Sequence, residues 1–76
     1  MKELKQIIKK INTLRNSWMY VLDKYPYRIS FSVKKDVIIM YKEKMAGIYY
    51  STHEIVELNN PLVQEFIKEY REVINY

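Results

Sequence analysis

Leu4, Ile7, Ile11, Leu14, Trp18, Val21 and Tyr25 recur at spacings of 3, 4, 3, 4, 3 and 4 residues, and no other pattern in the chain is as strict. Those spacings track the 3.6-residue turn, so these side chains line one seam of a helix of about seven turns. Ile8 and Leu22 widen it. The seam predicts a helix from Lys2 to Asp23 or Lys24. Pro26 ends it, because proline disfavours helical backbone at Tyr25 and has no N–H to donate. Asn16-Ser17 is the weak point, since both side chains compete for backbone hydrogen bonds, and Trp18 to Leu22 is apolar enough to read as a strand. The seam would serve either an intermolecular coiled coil or the core face of a helix lying on a sheet. Trp18 and Tyr25 fit knobs-into-holes packing poorly, which favours the sheet. On the outer face, Lys2, Lys5, Lys9 and Lys10 make a basic first half. Met19 and Tyr20 fall outside the seam and imply a second contact, with the C-terminal helix or with another chain.

The rest of the chain changes period. From Tyr27 to Val33, Ile29, Phe31 and Val33 alternate with Arg28, Ser30 and Ser32, the pattern of a half-buried strand. Lys34-Lys35 is a two-residue gap of hairpin length, although neither lysine favours the positive φ of a primed turn. A second strand is expected over Asp36 to Lys42. It is apolar on both faces, as a central strand would be. Lys44-Met45-Ala46 turns the chain, with the sole glycine, Gly47, where a bulge or a positive φ is useful. Ile48 to Ser51 reads as a short third strand. Ser51-Thr52-His53-Glu54 matches a capping box and predicts a helix from Thr52 to Leu58, with an edge strand over Ile55 to Leu58 as the alternative. Asn60 and Pro61 are the N-cap and first residue of a last helix, whose buried face is Leu62, Val63, Phe66, Ile67, Tyr70, Val73 and Ile74. Glu65, Glu69 and Glu72 make its outer face acidic. The expected fold is a single α+β domain over residues 1–76, of order α-βββ-(α)-α. It would be a three-stranded antiparallel meander packed by the N- and C-terminal helices.

Size and charge limit what such a domain can do. With 76 residues and no cysteine, the core must come from apolar packing alone. That leaves a small stability margin, and an obligate dimer would widen it. No apolar run approaches the ~20 residues of a membrane span, and the N-terminal lysines are not followed by a signal-peptide core, so a cytoplasmic protein is expected. Residues 1–45 carry eleven Lys/Arg against four Asp/Glu, whereas residues 46–76 carry two against five. A dipolar molecule of this kind favours an anionic partner, unless lysine is simply the default solvated residue. Ten Lys, ten Ile, eight Tyr and five Asn against one Ala and one Gly suggest an AT-rich genome, that of a low-GC bacterium, its phage or an archaeal virus.

Catalytic signatures are lacking. His53 is the only histidine and falls near a predicted helix start, and the Ser and Asp residues have no nucleophile context. One glycine cannot build a phosphate-binding loop. No cofactor or metal is expected. The expected site is a surface. If Val33 pairs with Asp36 and Tyr41 with Tyr49, one sheet face holds Arg28, Ser30, Ser32, Val37, Ile39, Tyr41 and Tyr49. Should both helices cover the other face, this one is an open, semi-apolar contact surface. Should one helix cover each face, it is core. The register decides which residues share a face. The expected partner-binding residues are Arg28, Lys34, Lys35, Val37, Ile39, Tyr41, Lys42, Lys44 and Tyr49. They suit a macromolecular partner, and a homodimer through the same face would compete for it. Alternatively, the two tyrosines would stack bases while the cations neutralise phosphates of DNA or RNA, although no nucleic-acid-binding motif accompanies them.

In size, composition and α-βββ-α order the chain resembles small phage or viral accessory proteins, some of which inhibit host defence systems. The resemblance covers topology and composition only and transfers no functional residues. It implies a non-enzymatic protein that binds and modulates a host protein or nucleoprotein.

Overall fold

The structure, a computed structural model, describes residues 2–15, 21–48 and 50–74. Its elements are α1 (Lys2–Arg15), β1 (Leu22–Lys24), β2 (Tyr27–Lys34), β3 (Val37–Lys44), β4 (Tyr50–Val56) and α2 (Pro61–Ile74). The strands form one antiparallel sheet in the order β1-β2-β3-β4. The α+β class is as expected, with four strands in place of three.

The long N-terminal helix is the first correction. The described α1 is Lys2–Arg15, and Leu22 to Lys24 form a strand instead of a further helical turn. Leu22 is buried, as its place in the seam requires, but it reaches the core from a strand, paired with Ile29 across a hairpin. Tyr25, the last seam residue, is 84% exposed in the turn with Pro26, to which a cis peptide joins it. A 3-4 spacing counts apolar residues without regard to the element that buries them, so a short strand can continue a helix's pattern. Trp18, Met19 and Tyr20 lie outside the described residues.

The β2–β3 turn is Lys35-Asp36, one residue later than expected, with φ of 49° and 66°. A two-residue hairpin needs left-handed backbone at both positions, and Asp tolerates it better than most residues. The register accordingly moves by two. Phe31 faces Met40 and Ile29 faces Lys42, where Ile38 and Met40 were expected. A shift of two keeps every side chain on its expected face.

The third correction is β4. The predicted helix over Thr52 to Leu58 is a strand from Tyr50 to Val56, each residue paired with β3. The edge-strand alternative had the element right but placed it too late. A capping box stabilises only one helix end, whereas seven cross-strand pairs and the β-branched Thr52, Ile55 and Val56 favour the sheet. Tyr41 therefore pairs with His53, not Tyr49, and Ile48 is 87% exposed in the bend before β4. Gly47 in that bend has φ of 77°, the positive φ expected of it.

The restart at α2 is as read. The Asn60 side-chain carbonyl accepts a hydrogen bond from the Leu62 N–H at 2.9 Å, and Pro61 takes the first helical position. Asn60→Ala is expected to destabilise the domain by about 1 kcal/mol, with Asn60→Asp close to neutral, as measured by urea denaturation. An alanine variant as stable as the parent would show that the cap is not needed.

Leu4, Ile7 and Ile11 of α1 and Val63, Phe66 and Ile67 of α2 close over Leu22, Ile29, Phe31, Ile38 and Met40 of the sheet, all of them buried. The five sheet residues share one face by register. Phe66 sits between Phe31 and Tyr70, with ring centroids 5.0 and 5.1 Å away. The Tyr70 hydroxyl donates to the Val21 carbonyl at 3.3 Å, which ties α2 to the start of β1. Exposed ion pairs link the helices to the sheet and to each other: Lys5–Asp36 (2.9 Å), Lys24–Glu65 (2.6 Å) and Arg71–Glu3 (3.0 Å). At such exposure each contributes little to stability. The hydrogen bond from Lys5, and then its charge, hold the Asp36 carboxyl below the usual carboxylate range. Among the described residues no helix is long and apolar enough to cross a membrane.

Candidate interaction surface

Both helices bury their apolar stripes on the same face of the sheet. Among the described residues this leaves the opposite face without a covering helix, the first of the two layer arrangements the sequence allowed. Alternation along the strands assigns its residues. From the β2–β3 turn downward, Lys34 and Val37 form one row, and Ser32, Ile39 and Ile55 the next. Ser30, Tyr41 and His53 make the third row, and Asp23, Arg28, Glu43 and Ser51 the last.

Tyr41 and Ile39 are the centre of this face, half-buried among their neighbours. The Tyr41 hydroxyl lies 3.4 Å from the Ser32 hydroxyl, one row nearer the turn. The ring thus lies along the sheet above small serine side chains, and Ser30, directly opposite Tyr41, is only 7% exposed. On the other side the Tyr41 ring is 6.1 Å from the ring of His53. Ile55, 72% exposed, and Val37 extend the apolar strip toward β4 and the turn. A flat surface with a central tyrosine, flanking aliphatic groups and a polar rim has the chemistry of a protein contact.

The structure divides the residues read from sequence. Arg28, Lys34, Val37, Ile39 and Tyr41 share the open face. Lys35 is in the turn. Lys42 and Lys44 are on the helix side, where the Lys42 ammonium is 6.0 Å from the Tyr27 ring centroid. Tyr49 lies outside the described residues. The cations therefore make no single patch: Lys34 and Lys35 are about 20 Å along the strand from Arg28. Arg28 itself lies between Asp23 and Glu43, its cross-strand neighbours on the same face. Ser51, His53 and Ile55 were missed, because the capping box made Ser51, the end of the expected third strand, an N-cap and put His53 and Ile55 in a helix. The β-branched Thr52, Ile55 and Val56 were the signal for a strand there.

Among the described residues no three His, Cys, Asp or Glu side chains are grouped to hold a metal ion. An open depression lined by Pro61, Gln64, Glu65, Lys68 and Glu69 lies along α2. Histidine, serine, threonine and cysteine are not among its lining residues. Comparison with family models, with curated proteins and with solved structures found no match to this chain.

Proposed function

We propose that this chain is a non-enzymatic interaction protein that holds a macromolecular partner, a host protein or nucleoprotein, against its open sheet face. The observation that supports it is the layer order: both helices bury one face of the sheet, and Val37, Ile39, Tyr41 and Ile55 lie on the other. The composition and the likeness to small phage and viral accessory proteins favour an inhibitory role in the host cytoplasm. DNA or RNA binding is the weaker reading, because Lys42 and Lys44 leave this face and Arg28 is flanked by two carboxylates.

The test is capture from extracts of candidate low-GC bacterial hosts, comparing the parent chain with Ile39→Ala and Tyr41→Ala, with bound proteins identified by mass spectrometry. The variants are expected to lose a partner that the parent retains, with unchanged circular dichroism. Equal capture by parent and variants would refute the use of this face. Retention of DNA or RNA falling steeply with salt would instead support the nucleic-acid reading.

A further inference from the structure

The two edges of the sheet are built differently. β1 is three residues long, carries Asp23 and Lys24, and ends at Tyr25-Pro26, features that discourage strand addition. β4 is seven residues long and pairs with β3 without a bulge from Lys44–Tyr50 to Ile38–Val56. It holds no lysine and no proline, and Glu54 is its only formally charged residue. Residues 51 to 55 are exposed, and no described strand lies beyond them.

The β2–β3 turn fixes which groups this edge presents. A two-residue hairpin makes its flanking residues, Lys34 and Val37, a hydrogen-bonded pair, and such pairs alternate along an antiparallel ladder. Odd-numbered residues of β3 thus bond to β2, and Ile38, Met40, Lys42 and Lys44 bond to Val56, Glu54, Thr52 and Tyr50. The backbone N–H and C=O groups of Ser51, His53 and Ile55 therefore point out of the sheet.

We propose that β4 pairs antiparallel with β4 of a second copy, about a two-fold axis through His53. Outward groups must meet outward groups, so Ser51, His53 and Ile55 pair among themselves. Centring on His53 overlaps all seven residues. Ser51 then faces Ile55 of the second copy, and Thr52 faces Glu54 of the second copy. The one charged side chain meets a hydroxyl in this register. Centring on residue 54 would instead set Glu54 against its own copy, and like charges directly opposite are destabilising. On the open face, Tyr41 and His53 of both copies form one continuous aromatic row across the axis. Because the axis is perpendicular to the sheet, the dimer is a single eight-stranded sheet with all four helices on one side. The two open faces then lie side by side. This dimer does not depend on the proposed partner, and its test uses the chain alone.

Sedimentation velocity of the full chain across roughly 10–200 µM should show the 9.3 kDa protomer giving way to a species of twice that mass. A proline is tolerated in an edge strand when its missing N–H faces outward, so His53→Pro should retain the fold. It removes the two N–H donors at the axis and should weaken the dimer about tenfold or more. Thr52→Glu, which sets carboxylates opposite each other across the axis, should weaken it independently and supplies the result should His53→Pro misfold. The chain has no cysteine, so register can be read by cross-linking. His53→Cys should form an intermolecular disulfide under mild oxidation, and Ser51→Cys should not. A protomer mass throughout the concentration range overturns the proposal. So does a dimer undiminished in a folded His53→Pro or Thr52→Glu variant, or cross-linking by Ser51→Cys in preference to His53→Cys.

Discussion

Phe66→Ala is expected to lower stability by about 3–5 kcal/mol, the cost of removing a buried aromatic ring and leaving a cavity. Phe66 is 1% exposed, and its ring touches both Phe31 of the sheet and Tyr70 one turn further along α2. It joins the helix layer to the sheet at the centre of the core. At about 0.05–0.15 kcal/mol per residue, a chain of this length has about 4–11 kcal/mol in all. The substitution therefore removes about a quarter or more of the total. Thermal unfolding followed by circular dichroism should show a drop in Tm of about 12 °C or more, at about 4–8 °C per kcal/mol in a small domain. A drop of only a few degrees would mean that the ring is not the keystone between the layers.

The second large effect comes from two neighbouring isoleucines. Ile38 is 1% exposed beneath the helices, and Ile39 is half-buried on the opposite face. Ile38→Asp places a carboxylate among the buried apolar side chains of the core, at a cost of several kcal/mol beyond the lost packing. That approaches the whole stability of the domain, and the variant is expected to be unfolded at neutral pH. Ile39→Asp leaves the carboxylate at the surface and should cost about 1–2 kcal/mol, from lower strand propensity and some lost contact. Urea denaturation of the pair separates the two positions. Equal loss from both would mean that Ile39 is core and that the face carrying Tyr41 is covered.

Strands were readable from the sequence wherever alternation was local and complete. Ile29, Phe31 and Val33 against Arg28, Ser30 and Ser32 fixed the faces of the hairpin even though the turn was misplaced by one residue, because the register error was even. Asn60-Pro61 marked the start of α2 because capping is a property of adjacent residues. The two failures have one physical origin. Leu22 to Lys24 and Thr52 to Val56 are strand by virtue of their cross-strand partners, and local signals pointed to helices in both places. The edge strand carried the greater consequence. With residues 52–58 read as a helix, His53 and Ile55 were removed from the face to which they belong. Lys42 and Lys44 were counted as cations flanking the open face for another reason. The basic hairpin was treated as a cluster in sequence, although successive strand residues point to opposite sides.

The placement of both helices on one side divides the positions of this small chain by parity. Along β2 and β3, one set of alternate residues is constrained by the core, and the other meets solvent with little to repack, Ser30 beneath Tyr41 excepted. Substitutions in the second set can accumulate, one residue at a time, without threatening the fold. On the proposed reading of this face as a contact surface, such a chain can exchange one target for another, or escape a target that has itself changed, while its folding problem stays the same.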